Sequence, residues 1–163
     1  MSEIIVIAHN IRSTHNVGAI FRTCEGFGVK KVILSGYTPY PKTVNDTRLP
    51  HIAEKLTLQI HKTALGAETM VPFRYQETPD IEALRAAGYR IVGLEQDERS
   101  IPLPEYKVPG KIALLLGEEV EGITSDLRDI CDDLIEIPMK GKKESFNVSV
   151  AAGIALYHLT FRN

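Results

Sequence analysis

Short apolar runs of β-forming residues alternate with helix-like segments along the whole chain, and this alternation constrains the fold more than any other feature. The first run, IIVIA at residues 4–8, contains no polar residue, as in strands that are buried on both faces of a sheet. Such alternation predicts an α/β protein with a mainly parallel sheet flanked by helices. The length of 163 residues fits a single domain over residues 1–163. The predicted strands are 4–8, 31–36, 71–75, 89–94, 112–116 and 134–137.

Capping residues predict where several helices begin and end. Asn16 can cap a helix whose apolar residues recur at helical spacing, and Gly28 can end that helix. Pro50 suits the first turn of the next helix, and Thr78 suits the cap of the one after it. The segment 96–110 is rich in proline and predicts a loop between the fourth and fifth strands.

The stretch 137–159 joins a strand end, a Lys/Gly loop and a helix rich in small residues. Pro138 cannot extend a strand ladder, and Ser145 and Asn147 stand where a helix cap is expected. The small residues from Ser149 onward let packed chain or a ligand approach the helix backbone closely. The stretch therefore predicts either a binding pocket or an ordinary strand–loop–helix unit with tight packing.

Charge is distributed unevenly along the chain, although the formal net charge is only −2. Residues 9–62 hold eight Lys or Arg against three acids, whereas residues 117–136 hold eight acids against one Arg. The segment 137–163 is basic again, with four cations against one acid. A polyanion could bind the two basic segments if they share a face, and otherwise they are part of an ordinary solvated surface.

Several enzyme classes lack their signature in this sequence. No G-x-G-x-x-G motif follows the first strand, and no G-x-S-x-G elbow occurs. Gly117 and Gly122 have the spacing of a phosphate loop, but Glu118, Glu119 and Glu121 between them would repel a triphosphate. A ligand with cationic character would suit this turn better. The five histidines have no metal-ligand spacing, so we predict no metal site.

The amino terminus, MSEIIVIAH, has neither the cationic region of a signal peptide nor the length of a membrane span. The two cysteines do not form a closely spaced pair, which is typical of proteins in a reducing compartment. We therefore predict a cytoplasmic protein that does not bind a membrane.

Three polar clusters each lie between a strand and a helix. Ligands of parallel α/β sheets bind outside the carboxyl ends of the strands, where such clusters would meet. Any one cluster alone would be a cap or a turn. The clusters are Asn10, Arg12, Asn16 and Arg22, then Gly117, Glu119 and Gly122, and finally Ser145 and Asn147.

In this order the clusters resemble the motifs of the SpoU (TrmH-like) family of SPOUT RNA 2′-O-ribose methyltransferases. The first motif corresponds to NVGAIFR at 16–22, the second to LLLGEEVEG at 114–122 and the third to IPMKGKKESFNVSVA at 137–151. The resemblance spans essentially the whole chain. It departs from the family pattern at Glu118 and Val120 in the second motif and at Phe146 in the third.

The resemblance implies a fold and a cofactor. Residues from about 112 to 163 are expected to thread through a loop as a deep trefoil knot, a feature that general topology rules make rare. The knot is expected to hold S-adenosylmethionine, and the family works as a homodimer with the site at the interface. No separate RNA-recognition domain is expected. The cofactor-binding residues implied are Leu94, Gly117, Ile137, Met139, Ser145 and Phe146.

The resemblance also implies the catalytic residues Arg22, Asn16, Glu119, Ser145 and Asn147. Because a guanidinium normally keeps its proton, we favour Arg22 orienting the adjacent phosphate and stabilising alkoxide charge, while a role as base stays open. Asn16 would fix Arg22 or the ribose, and Glu119 would hold the loop. Ser145 and Asn147 would organise the cofactor loop.

RNA would be the partner, with tRNA expected before rRNA because the chain resembles short family members. Two alternatives stay open. One is a non-catalytic RNA-binding or S-adenosylmethionine-binding protein on the same scaffold, which the substituted second motif suggests. The other is a small-molecule-binding α/β domain unrelated to RNA. The candidate phosphate contacts are Arg12, Lys30, Lys31, Arg48, Lys140, Lys142 and Lys143.

Overall fold

The computed structural model describes residues 1–162, and these form one seven-stranded sheet flanked by helices. All of its strand pairs are parallel, which confirms the predicted α/β class. The spatial order is β3-β2-β1-β6-β4-β7-β5. The strands are β1 (Glu3–His9), β2 (Lys31–Ser35), β3 (Phe73–Gln76), β4 (Arg90–Leu94), β5 (Ile101–Pro102), β6 (Lys111–Leu116) and β7 (Asp133–Glu136).

β1 is central because its side chains alternate between two hydrophobic cores. Val6 and Ala8 pack into the core that also contains residues of the first and last helices. Ile5 and Ile7 point to the opposite face and pack into a second core. The first apolar run is therefore buried on both faces, as predicted, and each such Val or Ile contributes about 1.5–3 kcal/mol by leaving water.

The helices cover both faces of the sheet. The first packs closely on the second at Gly18, where a Cβ atom would lie only 2.3 Å from the Ile60 carbonyl oxygen. This contact gives a packing reason for the glycine of the first motif. The helices are α1 (Thr14–Gly26), α2 (Pro50–Ala64), α3 (Ala67–Met70), α4 (Ile81–Ala86), α5 (Ser125–Ile130) and α6 (Val148–Phe161), and a 3₁₀ turn covers Leu103–Glu105.

Two predicted caps are wrong. Ser13, not Asn16, caps α1, because its hydroxyl accepts the Asn16 N–H at 3.2 Å. Asp80, not Thr78, caps α4 by accepting the Ala83 N–H at 3.0 Å. Both helices therefore begin away from the predicted residue, and the Asn16 side chain is free for another partner. The predicted cap Asn147 and the first-turn position of Pro50 are confirmed.

The segment 96–110, predicted as a loop, contains β5 and the 3₁₀ turn. β5 is a two-residue edge strand that ends in Pro102, so it has almost no apolar pattern to detect. β7 lies between β4 and β5, the two strands that residues 95–100 connect. Within residues 1–162, no helix is long and apolar enough to cross a bilayer.

Asp133, at the start of β7, gives the fold a pH dependence that can be measured. Its carboxylate accepts hydrogen bonds from Arg90 Nη2 at 2.9 Å and from the Tyr106 hydroxyl at 2.8 Å. The bond from Arg90, more than any other contact, lowers the pKa of Asp133, although burial opposes it. The resulting stabilisation is present above the unfolded pKa of about 3.9 and is lost as pH falls through the folded pKa.

We therefore expect Asp133→Asn to lower the free energy of unfolding more at about pH 6 than at about pH 2, because the stabilisation from the ionised wild-type carboxylate decreases as pH falls toward its folded pKa. Urea denaturation at both pH values measures the two differences. Asp126→Asn, which changes an exposed carboxylate in the first turn of α5, is the control. An equal loss at the two pH values would contradict the assignment.

Candidate active site

A cavity of about 320 Å³ lies at the carboxyl edge of the sheet. Its walls are the segments that follow β4, β6 and β7, together with the first turn of α6. These are the segments in which the parallel sheet was expected to bind a ligand. All six predicted cofactor-binding residues line this cavity: Leu94, Gly117, Ile137, Met139, Ser145 and Phe146.

The GEEVEG segment forms a tight turn that closes one wall of the cavity. Backbone hydrogen bonds run both ways between Glu118 and Gly122, at 3.2 and 2.8 Å. Gly117 has no room for a side chain, since a Cβ atom there would lie 2.5 Å from backbone atoms of Gly122 and Ile123. The second motif thus needs this glycine for its shape.

Glu95, which directly follows β4, holds the turn through hydrogen bonds. The sequence did not single out this residue. Its carboxylate accepts the Ile123 N–H at 2.7 Å and the Gln96 N–H at 3.0 Å. A Cβ atom on Gly122, whose φ is +70°, would overlap this carboxylate. An acid directly after a buried strand was the available signal, since that position faces the carboxyl edge.

The cavity wall is rich in carboxylates. Among its lining residues in the described part of the chain there is no Lys or Arg. A cleft lined by one sign of charge concentrates ligands of the opposite sign, so this wall favours a ligand with a cationic centre. The carboxylates are those of Glu95, Glu118, Glu119, Glu121, Glu136 and Glu144.

Glu119 joins the three motif segments through a chain of hydrogen bonds. Asn16 Nδ2 donates to Glu119 Oε1 at 3.2 Å, and Asn147 Nδ2 donates to Asn16 Oδ1 at 3.2 Å. Glu119 also accepts the Arg12 N–H at 3.2 Å and the Ser13 N–H at 3.3 Å, so it binds the chain that enters α1. We call Glu119, Asn16 and Asn147 the polar chain.

The polar chain needs an ionised Glu119. Burial alone would raise the pKa of Glu119, but hydrogen bonds from its own backbone N–H, from Arg12, from Asn16 and from Ser13 outweigh burial and hold the pKa below its usual value. A carboxylate that accepts several N–H groups is stabilised in its charged form. Glu119 is therefore an anion near neutral pH.

Asn147 has a second role at the start of α6. Its Oδ1 atom accepts the Ser149 N–H at 2.9 Å and the Ser149 hydroxyl at 2.6 Å. Ser145, two residues earlier, is exposed and lines the cavity. In the third motif, Asn147 thus fixes the end of the loop and Ser145 forms part of the cavity wall.

Arg22 lies on α1 but outside the cavity wall. It follows Asn16 by six residues, about 9 Å along the helix and about 240° around it. Its side chain is exposed, and within residues 1–162 no carboxylate lies within ion-pair distance of it. Within one protomer, Arg22 therefore does not meet the polar chain.

The structure separates the candidate phosphate contacts into groups. Arg12 lies beside the polar chain, where its guanidinium approaches Glu118 at 4.0 Å. Lys30 and Lys31 lie at the amino edge of the sheet, opposite the cavity, and Lys30 pairs with Glu3 at 2.9 Å. The exposed loop that follows β7 carries Lys140, Lys142 and Lys143 next to the cavity.

Arg48 is already occupied by its own neighbours. Its guanidinium donates to Asp46 Oδ1 at 2.9 Å and to the Tyr40 carbonyl at 2.9 Å, and lies 3.6 Å above the Tyr40 ring. This ion pair lowers the pKa of Asp46, chiefly through the hydrogen bond from Arg48. The contacts support a structural role for Arg48, and its binding to RNA stays a prediction.

A parallel sheet with a loop-walled cavity at its carboxyl edge defines a ligand-binding α/β protein of the open-sheet kind. The profile of the SpoU rRNA Methylase family matches residues 3–157. The chain belongs to this family.

Relatives support the assignment and cover nearly all of the chain. It is 34% identical over 158 residues to the 23S rRNA (guanosine-2′-O-)-methyltransferase RlmB of Coxiella burnetii, spanning 96% of this chain and 57% of that protein. The AdoMet-bound rRNA methyltransferase of Sinorhizobium meliloti has a TM-score of 0.79 and 26% identity, over 96% of this chain and 55% of that one. The A. aeolicus TrmH/SpoU tRNA modifying enzyme has a TM-score of 0.77 and 27% identity, over 98% of this chain and 75% of that one.

Proposed function

We propose that this chain is an S-adenosylmethionine-dependent RNA methyltransferase that acts on a ribose 2′-hydroxyl. The observation that carries the proposal is the polar chain, which links the three motif segments beside a cavity lined by every predicted cofactor residue. Family membership supports the same activity. The chain spans only 57% of the length of its Coxiella burnetii relative. The activity is therefore proposed from the residues of this chain and is not transferred from that relative.

The cavity fits the proposed cofactor in size and charge. Ligand pockets start at about 300 Å³, and this one measures about 320 Å³. S-adenosylmethionine supplies a methyl group activated by a sulfonium cation, and the carboxylate-rich wall favours such a cation. Leu94, Gly117 and Ile137 would hold it through backbone groups at the ends of β4, β6 and β7.

The chain's own residues must position the ribose and stabilise charge. An in-line displacement requires the 2′-oxygen to be held at the correct angle, which Asn16 and Asn147 support by fixing the first and third motifs together. Arg22 would bind the neighbouring phosphate and stabilise the charge that develops on the 2′-oxygen. This role requires Arg22 to come from a second copy, because within one copy it lies outside the cavity wall.

We therefore include a homodimer in the proposal. An apolar stripe along α6 is 37–59% exposed and continues at the spacing of one helix face. A second copy that covers this stripe would bury it and bring its own α1 toward the cavity. The residues of the stripe are Val150, Ile154, Tyr157 and Phe161.

The double variant Ile154→Asp, Tyr157→Asp is expected to be monomeric, because two carboxylates would be desolvated at the interface. Methyl transfer should be lost with the dimer, since no partner Arg22 would be available. Light scattering after gel filtration gives the mass, and Leu58→Asp on exposed α2 surface is the matched control. A monomeric variant with wild-type transfer would contradict the shared site.

The RNA target is less defined than the reaction. The Coxiella burnetii relative is named for 23S rRNA and the A. aeolicus structure for tRNA, so the relatives give no support for tRNA before rRNA. Both RNAs therefore enter the test. A cytoplasmic location and the absence of a metal remain predictions, although residues 1–162 contain no group of three His, Cys, Asp or Glu placed to hold a metal ion.

We also propose the trefoil knot for the carboxyl-terminal segment. The position of β7 between β4 and β5 supports it, because the tail must pass the short connection that joins those two strands. The predicted knot region ends at residue 163, which lies outside the described residues.

The deciding experiment combines calorimetry with a transfer assay. Titration of S-adenosylmethionine should show one site per chain, and tritium should pass from labelled methyl donor to bulk tRNA or bulk rRNA. Binding without transfer to either RNA would favour the non-catalytic alternative, for which the exposed Val120 and Phe146 in the cavity wall are the supporting observation. Neither binding nor transfer would overturn the proposal.

A further inference from the structure

A second, open groove of about 650 Å³ lies on the other side of the Arg12–Ser13 segment from the cavity. It is at the carboxyl ends of β1 and β2, and it faces the loop that follows β2. Arg12 and Ser13 donate their backbone N–H groups to Glu119, so the groove begins where the polar chain ends. Aromatic and cationic side chains line it, including Arg12, His15, Tyr37, Tyr40 and Arg48.

Tyr37 presents its ring to solvent from a loop that is firmly held. The residue is 53% exposed, yet its backbone N–H donates to Asn10 Oδ1 at 3.1 Å. Next to it, the Gly36 carbonyl accepts the Tyr75 hydroxyl at 2.7 Å, and the buried Thr38 hydroxyl donates to the Ala8 carbonyl at 2.9 Å.

Gly36 completes this bracing. Its φ is +64°, and a Cβ atom there would lie 1.8 Å from Asn10 Oδ1. The loop is thus built around backbone contacts that exclude a side chain at Gly36, while the neighbouring Tyr37 side chain points outward. Because the backbone is held in this way, a planar partner that binds the exposed ring has to order only the Tyr37 side chain and not the loop.

The groove holds one cation that faces the exposed ring and one that is already used. The Arg12 guanidinium carbon lies 5.9 Å from the centre of the Tyr37 ring. Arg48 instead lies on Tyr40, which stacks on Tyr75 with the ring centres 4.2 Å apart. Tyr40, Tyr75 and Arg48 are thus packed against one another. In contrast, the Tyr37 ring is exposed and the Arg12 side chain, 77% exposed, meets Glu118 only at 4.0 Å. Tyr37 and Arg12 are therefore the groups in the groove that are best placed to receive a ligand.

We propose that Tyr37 is the stacking platform for a nucleobase adjacent to the target ribose, and that Arg12 binds the phosphate of that nucleotide. The ligand class is a single-stranded RNA nucleotide, because unstacked bases bind aromatic side chains and their phosphates bind guanidinium groups. This inference rests on the proposed function, in which RNA is the substrate.

The test compares RNA affinity among Tyr37 variants. We expect Tyr37→Ala to bind a fluorescein-labelled, mixed-sequence RNA of 15 nucleotides about 10-fold more weakly, whereas Tyr37→Phe keeps the ring and stays within about 2-fold of wild type. Met70→Ala, which shortens an exposed apolar side chain at the end of α3, is the matched control. S-adenosylmethionine affinity, measured by calorimetry, should be unchanged in every variant and shows that each one is folded.

Salt dependence separates the two residues. Tyr37→Ala should leave the slope of log K against log salt unchanged, because stacking releases no counterion. Arg12→Gln should reduce the magnitude of that slope by about 0.7, the value for one phosphate contact on a single strand. Lys62→Gln, which removes an exposed cation from α2, should leave the slope unchanged.

Failure of this inference differs from failure of the proposed function. If Tyr37→Ala and Tyr37→Leu both bind the RNA within 2-fold of wild type, the stacking platform is overturned even when wild-type methyl transfer is normal. If the wild-type protein transfers no methyl group to bulk tRNA or bulk rRNA, the proposed function fails, whatever Tyr37 contributes to RNA affinity.

Discussion

Replacing Arg22 by alanine is expected to lower the rate of methyl transfer by about 1,000-fold while S-adenosylmethionine binds as in wild type. The side chain is exposed on α1, makes no ion pair within the described residues and does not line the cavity, so its removal should cost little stability. Its loss would remove the cation proposed to stabilise the developing alkoxide. Single-turnover transfer and calorimetry with the cofactor measure the two effects separately.

Arg22→Lys and Lys62→Ala are the comparison variants. Lysine restores the charge without the planar fork of donors, so it should recover only part of the rate. Lys62→Ala removes another exposed cation, on α2, and should transfer methyl at the wild-type rate. Near wild-type transfer by Arg22→Ala would show that the arginine of the first motif is not catalytic.

A mixing experiment tests whether Arg22 acts on its partner's cavity. Gly117→Ala should close the cofactor cavity, because its Cβ would lie 2.5 Å from backbone atoms of the turn. Gly117→Ala and Arg22→Ala should each be inactive alone. After the two variants are denatured and refolded together, half of the dimers would contain one copy of each. One of the two sites in such a mixed dimer would be complete, which gives about a quarter of wild-type activity. No recovery would place Arg22 with the cavity of its own chain.

The strands were readable from the sequence because each is a short apolar run. The IIVIA run predicted burial on both faces, and the structure divides Val6 and Ile7 between two cores. β5 could not be read in the same way, since it has two residues and one of them is Pro102. Its pairing with β7 depends on a strand more than 30 residues away along the chain, and a local pattern does not contain such information.

Caps were less predictable than strands because several polar residues competed for each position. The segment before α1 offers Ser13, Thr14 and Asn16, and all three residue types occur at helix N-caps. Ser13 is the cap, and Asn16 bonds to Glu119, which lies 103 residues further along the chain. Tertiary contact, not local propensity, decided between them.

The sequence predicted which loops form the candidate site, but not the contacts between their side chains. All six residues that the motifs predicted to bind the cofactor line the cavity, since strand ends in a parallel sheet share one edge. The motifs did not reveal Glu95, which follows β4 and accepts a hydrogen bond from the turn at Ile123. They also did not reveal that Arg48 is already bonded to residues of its own loop. Nor did the motifs show that Arg22 lies outside the cavity wall, which follows from its position on α1, six residues after Asn16.

Replacing Glu119 by glutamine should lower methyl transfer by about 100-fold, because a small misplacement of reacting groups costs about that factor. Glutamine is nearly isosteric, but only one of its two terminal groups can accept a hydrogen bond. The carboxylate now accepts from Arg12, Ser13 and Asn16, so at least one of these donors would lose its partner. Unfolding free energy should fall by about 2 kcal/mol, the range for hydrogen bonds to charged groups.

Glu121→Gln is the matched control for this prediction, since it removes an exposed carboxylate from the same turn and the same cavity wall. It should keep wild-type stability and transfer, although the affinity for the cationic cofactor can weaken in both variants as the wall loses charge. The polar chain predicts a difference between the two glutamates that charge alone does not. If both variants lose transfer to the same extent, Glu119 acts only as one more acid in the wall, and its bonds to α1 do not position the ribose.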